Sequence, residues 1–243
     1  PGERPVRPNL SLGDTVAGLH AALGIAMALL ERHNSHQGQV VDVALFESVF
    51  NLLEAVIPEF DGAGEIRQPA GSTVTGIVPT NTYRCADGKY VIIGGNGDSI
   101  FKRLMVTAER ADLAEDPRLA KNPGRVGNEA EIDGAIEAWC ATLPSAEVLE
   151  KLEANRVPCG PIYSAADMMA DPHFQARGLF QQVEINGAPL KIPAIMPRLG
   201  GTPGTTRWPG GDAGCDTESV VRGELGLSEE EFQRLKAQGV FGA

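Results

Sequence analysis

Residues 12–45 read L-G-D-T-V-A-G-L-H-A-A-L-G-I-A-M-A-L-L-E-R-H-N-S-H-Q-G-Q-V-V-D-V-A-L, and the reading of the whole chain turns on them. From Asp14 to Arg32 the apolar Val16, Leu19, Leu23, Ile25, Met27, Leu29 and Leu30 are joined by five alanines, and before Glu31 only Thr15 and His20 break in as polar residues. This spacing predicts a helix over residues 14–32. A helix apolar on nearly every side is expected to be buried on nearly every side. Asp14 stands where the turn Ser11-Leu12-Gly13 meets that helix, and aspartate is a favoured N-cap. The same place would also desolvate a carboxylate at the edge of a core while the helix amides hold it ionised, which suits nucleophilic attack on an activated acyl group.

Outward from this helix the chain reads as a mixed α/β protein. Residues 1–11 are an extended lead-in fixed by Pro5 and Pro8. Residues 39–44 (Q-V-V-D-V-A) predict a short strand and residues 46–60 a second helix. Residues 61–76 crowd glycine, proline and threonine together without periodicity, which marks a domain boundary or a functional loop. Residues 81–85 and 89–93 flank Ala86-Asp87-Gly88 as a hairpin. Helices follow over residues 128–142 and 145–155, then a strand near Ile162 and a short helix from Ser164. Asn186-Gly187 predicts a second hairpin between residues 180–185 and 189–192. Residues 193–214, rich in proline and glycine, read as a surface wrap, and Ser228 to Glu231 has capping-box spacing.

Composition limits the function. The chain has 243 residues, 42% hydrophobic and 22% charged, with 32 acidic and 21 basic side chains and a net charge of −11. Without a basic run, phosphate neutralisation along a nucleic acid is not expected. The longest nearly unbroken apolar run, residues 21–30, is about half the roughly 20 residues that span a bilayer, so no membrane segment is expected. The start lacks a methionine and a signal core, as though cut from a longer chain. Cys85, Cys140, Cys159 and Cys215 show neither a C-x-x-C pair nor a zinc rhythm and read as reduced thiols of a cytoplasmic protein. His20, His33, His36 and His173 offer no metal-ligand spacing on one face. Gly94-Gly95-Asn96-Gly97-Asp98 invites a phosphate cradle, but Ile100 replaces the third glycine of the dinucleotide motif and Asp98 would repel the phosphate. That segment reads as a turn with Asp98 or Ser99 capping a helix. Cys159 between Pro158 and Gly160 reads as a packing residue, since only Arg156 is near to activate its thiol.

Several motifs in register carry a resemblance. Leu12-Gly13-Asp14-Thr15-Val16-Ala17-Gly18-Leu19, the alanine-rich helix ending Leu29-Leu30-Glu31-Arg32, and Gly38-Gln39-Val40-Val41-Asp42-Val43-Ala44-Leu45 come first. They are followed by Pro79-Thr80-Asn81-Thr82-Tyr83, Ala86-Asp87-Gly88-Lys89-Tyr90-Val91, Val157-Pro158-Cys159-Gly160-Pro161-Ile162 and Glu224-Leu225-Gly226-Leu227-Ser228. In this order they resemble the class III CoA-transferases of CaiB/BaiF type, formyl-CoA transferase-like, over essentially the whole chain. The resemblance implies an α/β fold with a Rossmann-like large domain, incomplete here, interrupted by a smaller α/β domain. Residues 1–68 and 181–243 would belong to the large domain and residues 69–180 to the insert, with interlocked homodimers.

The resemblance further implies covalent catalysis by Asp14, through an aspartyl anhydride and an aspartyl-CoA thioester. CoA would pass from an acyl-CoA donor to a small carboxylic acid, dicarboxylates included. Coenzyme A would serve as substrate, with no tightly bound cofactor and no metal. Residues 71–79 match the glycine-containing loop that covers the aspartate in relatives, with Gly76 as its backbone contact. The run of consecutive glycines found in oxalate-using members is not there, and the CoA-contacting residues would lie in a preceding half. Two rival readings stay open: a 2-methylacyl-CoA racemase on the same fold, whose partner histidine none of the four here matches, and an inactive fragment or non-catalytic interaction subunit.

Overall fold

The computed structural model describes residues 6–185 and 187–241. It divides into two compact units, Pro1–Ile162 and Tyr163–Ala243. The first opens with α1 (Leu12–Ser35), which starts two residues before Asp14 and ends on His36 in the left-handed conformation, φ 58°. The helix is as expected but its burial is not. Only Ala17 is buried, while Leu19, Leu23, Met27 and Leu30 are 60–70% exposed. The reason lies in what the chain provides as cover. Close approaches fall at glycines, where a Cβ on Gly24 would stand 2.9 Å from Val41 and one on Gly13 would stand 3.7 Å from Val49.

At 24 residues α1 as a whole is long and apolar enough to cross a membrane by length and composition, a test that residues 21–30 alone do not meet. Gly18, His20 and Thr15 interrupt the apolar run without ending the helix. The core helix of a water-soluble protein passes the same test.

The segment 36–44 is irregular rather than a strand. A strand needs a hydrogen-bonded neighbour, and among the described residues the sheets contain none beside it. The helix expected over residues 46–60 is two: α2 (Leu45–Phe50) and α3 (Val56–Ala63). Pro58 explains the break, because its ring clashes with the carbonyl four residues back. That residue, Glu54, leaves the helical region at φ 47°.

A sheet and its helices hold the core. Strands β1 (Thr80–Arg84), β2 (Tyr90–Gly94) and β3 (Cys159–Pro161) run antiparallel in that order, with Tyr83 opposite Val91 and Val91 opposite Pro161. The third strand was expected near Ile162 and lies just before it. Alternation buries Tyr83, Cys85, Val91 and Ile93 on one face. Against that face come α4 (Asp98–Thr107), α5 (Ala111–Ala114), a short turn at Pro117–Leu119, α6 (Asn122–Val126), α7 (Glu129–Cys140) and α8 (Ser145–Ala154). Phe101, Leu104, Ile132, Ile136, Val148 and Leu152 are at most 1% exposed. Asp87, in the β1–β2 turn, caps α8 from across the fold by accepting from the Ser145 amide (3.1 Å) and hydroxyl (2.7 Å).

The second unit contains α9 (Ala165–Ala170), α10 (Pro172–Ala176), the hairpin β4 (Phe180–Ile185) and β5 (Ala188–Pro193), and α11 (Glu229–Ala237). Ser164 and Asp167 form a reciprocal capping box on α9. The hairpin arrives where Asn186-Gly187 predicts it; Gly187 has φ 75°, and Asn186 lies outside the described residues. Ser228 accepts from the Glu231 amide, the serine half of the expected box. Residues 194–218 carry no strand and no long helix.

Candidate functional site

Asp14 lies in the first turn of α1, three residues beyond the N-cap Ser11, not at the cap itself. Ser11 contributes no side-chain cap; its carbonyl accepts from the Thr15 amide (3.0 Å) and hydroxyl (2.9 Å). A carboxylate in the first turn still gains from the positive end of the helix dipole. The expected desolvation is absent within this chain, where Asp14 is exposed and the described hydrogen bonds include none to its carboxylate. On the same helix the Nε2 of His20 lies 3.4 Å from Asn51 Nδ2, and its Nδ1 is buried without a described partner.

The second element is the loop before β1. Gly64 closes α3 in the left-handed conformation, and Arg67 then clamps Glu59 through two bonds of 2.6 and 2.7 Å. This pairing holds the Glu59 carboxyl below its usual range and raises Arg67. The chain turns twice, with the Thr73 amide bonded to Ala70 O and the Ile77 amide to Val74 O. Gly76 takes the third place of the second turn at φ 78°. A Cβ there would meet nothing within 4 Å, so glycine is required by the backbone sign rather than by space.

The loop tip is exposed, whereas Val78 and Pro79 are buried. Asn122, at the start of α6, donates from Nδ2 to Gly76 O (2.8 Å) and accepts at Oδ1 from the Val78 amide (3.2 Å). One turn on, the fully buried Arg125 donates to Val78 O (3.0 Å), Leu119 O (3.1 Å), Asn96 O (2.6 Å) and Asp98 (3.0 Å), and lies over the Phe101 ring. Gly124 lets α6 sit so close, because a Cβ there would come within 1.8 Å of Arg118 O.

Gly76 and Gly71 border an open cleft of about 1080 Å³ with Glu59, Arg67, Glu129 and Asp133 on its walls. Its charged lining residues are acidic except for Arg67, which is committed to Glu59, so its chemical contribution lies in loop shape and backbone groups rather than in anion capture. Asp133 also accepts from Tyr83 (2.7 Å) and Asn81 (2.8 Å), and burial followed by this bond pushes the Tyr83 hydroxyl pKa upward. Asp14 is not among the residues lining this cleft, and no described hydrogen bond joins it to Gly76.

The remaining sequence candidates fall outside both elements. Gly97, not Asp98 or Ser99, caps α4, and Asp98 bonds Lys121 (2.7 Å) and Arg125 instead, which lowers its carboxyl pKa. Gly95 is glycine for packing, since a Cβ would stand 2.4 Å from Leu104. Cys159 is half-buried against the core, and burial raises its thiol pKa. Cys140 is buried, its thiol pushed up to about 12. Asn122 and Arg125 escape sequence reasoning, because an asparagine and an arginine in a five-residue helix carry no periodic signal. The Pro123-Gly124 pair between them is the one local hint of a built turn.

A family model described as CoA-transferase family III matches residues 1–217. The succinyl-CoA:D-citramalate CoA-transferase of Chloroflexus aurantiacus is 37% identical over 241 residues, 99% of this chain and 60% of that enzyme. The alpha subunit of a succinyl-CoA:L-malate CoA-transferase from the same organism is 35% identical over 99% of this chain and 56% of its own length. A solved CaiB/BaiF family protein from Brucella suis superposes with a TM-score of 0.63 at 31% identity, covering 78% of this chain and 49% of that one. The chain thus spans roughly half to three-fifths of the length of these relatives.

Proposed function

The chain belongs to CoA-transferase family III, and from that membership we propose that the full-length protein moves CoA from an acyl-CoA donor to a small carboxylic acid of the dicarboxylate class, with Asp14 as nucleophile. The observation that carries this reading is Asp14 itself: an exposed carboxylate in the first turn of α1, inside the family-matched stretch. The succinyl-CoA:citramalate and succinyl-CoA:malate relatives support a dicarboxylate and favour transfer over racemisation.

The chemistry balances without ATP. An Asp14 oxygen adds to the donor thioester carbonyl, the carbon–sulfur bond breaks, and CoA thiolate leaves behind an aspartyl mixed anhydride. The thiolate attacks the aspartyl carbonyl, which releases the donor acid and forms an aspartyl-CoA thioester. The acceptor carboxylate then displaces thiolate to give a second anhydride. Attack of that thiolate on the acceptor carbonyl yields the new acyl-CoA and free Asp14. Each tetrahedral intermediate needs hydrogen-bond donors for its oxyanion, and the anhydrides need protection from water. The loop bearing Gly76 fills that second part in this reading.

Residues 1–68 and 181–243 form parts of the large domain in this reading, with residues 69–180 as the insert, and the enzyme is a homodimer. The apolar side chains that α1 leaves exposed support this, as a surface that the rest of a longer chain and a second copy would cover. The test is to incubate the full-length protein with succinyl-CoA, trap with hydroxylamine and map the modified peptide. A hydroxamate on Asp14 is expected; transfer without any Asp14 adduct would refute the mechanism.

A further inference from the structure

The segment 70–79 joins an exposed, twice-turned tip to a buried anchor, and one side chain bridges the two. The Asn122 amide reaches both sides of Ile77, donating to Gly76 O (2.8 Å) and accepting from the Val78 amide (3.2 Å). Ile77 itself is exposed, and the tip's other fastenings are its own turns and the Ser72 hydroxyl on Asn81 (2.6 Å). Gly76 has a backbone that glycine alone adopts without strain, so the tip gains no rigidity from a side chain there. Asn122 therefore supplies a constraint that the loop cannot supply for itself. Its mounting is rigid. Arg125, one turn along the same short helix, ties it to Val78 O, Leu119 O, Asn96 O and Asp98, and Gly124 packs directly on the Arg118 carbonyl.

We propose that Asn122 is a positioning residue for the transfer reaction: it sets the Gly76 loop in the shape that keeps water from the aspartyl anhydride. The inference rests on the reading of that loop as the cover of Asp14. The side reaction it suppresses is simple. Water adds to the anhydride carbonyl, the bridging carbon–oxygen bond breaks, and two carboxylic acids result, the freed substrate and Asp14, while CoA departs as the thiol. Loss of positioning therefore shows as a change in the fate of acyl-CoA, not only in its rate of use.

The experiment uses the full-length protein with succinyl-CoA and malate, and measures new acyl-CoA against free CoA thiol. Asn122→Asp keeps the acceptor for Val78 but replaces the Gly76 donor with an oxygen; Asn122→Ala removes both bonds. The hydrolysed fraction is expected to rise about tenfold relative to transfer in either variant, the change one lost positioning hydrogen bond makes to a rate. The melting temperature should fall by no more than about 4 °C. Gly76→Ala, strained at φ 78°, is the reference for the loop. If Gly76→Ala raises hydrolysis and both Asn122 variants partition like wild type, Asn122 has no positioning role. A lower melting temperature with unchanged partition leaves it purely structural and overturns the proposal too. If Gly76→Ala also leaves partition unchanged, the covering-loop reading fails and takes the proposal with it.

Discussion

Residues 12–63 are more apolar in sequence than residues 78–157, yet they bury far less of that apolarity. Among the described residues every buried apolar side chain except Ala17 and Phe232 lies between Val78 and Val157. In that region one sheet face and five helices close on each other, and Ile93, Leu104, Ile132 and Leu152 reach 0% exposure. In the other, Leu23 is 60% exposed and Phe46 74%. The difference teaches that apolar periodicity states that a surface must be covered and says nothing of what covers it. The α/β region supplies its own cover, whereas the helix carrying Asp14 presents its apolar sides outward.

That contrast can be broken experimentally, most severely at Arg125. Arg125→Ala removes a fully buried side chain and strands the buried carbonyls of Val78 and Leu119, and should cost about 3–5 kcal/mol in urea unfolding. Leu104→Ala, in a site with 0% exposure, should cost about 2–5 kcal/mol by the same measurement. Leu23→Ser on α1 should change the stability of this chain by less than about 0.5 kcal/mol, since it removes a side chain that is already largely in water. A loss of several kcal/mol there would mean that α1 is covered after all.

Native-state hydrogen exchange sharpens the same comparison, with longest protection expected for amides of β2, α4 and α7. The smallest effect is acid sensitivity. Hydrogen bonds from Ser145 to Asp87, and from Lys121 and Arg125 to Asp98, hold both carboxyls below the ordinary value of about 3.9. Their stabilisation is complete above that value and disappears as pH falls through the lowered ones, so the urea midpoint should drop below about pH 4, and less so in Asp98→Asn.

Much of this was legible beforehand, for physical reasons that differ by element. The two hairpins follow from Asp-Gly and Asn-Gly, whose positive φ is a local requirement, and the helix of Asp14 follows from its spacing. The break at Glu54 is equally local, with Pro58 four residues on, yet the helix expected over residues 46–60 runs straight through it. Burial of α1 and pairing of residues 39–44 are tertiary matters, and both expectations failed because a sequence pattern does not name its partner. Asp14 could be singled out from its motif, but its open surroundings could not. The Asn122 and Arg125 network was invisible, because its meaning arises only where the chain brings residues 76–79 and 119–125 together.

Central to all of this is the claim that the Asp14 carboxylate becomes covalently acylated and is regenerated each turnover. An acceptor acid labelled with heavy oxygen in its carboxylates tests it most directly. The sequence of anhydride and thioester steps sends one acceptor oxygen into Asp14 for each CoA transferred, while an Asp14 oxygen leaves with the donor acid. Mass spectrometry of the Asp14 peptide after turnover should therefore show the heavy label in that side chain. Product formation with an unlabelled Asp14 would contradict the account.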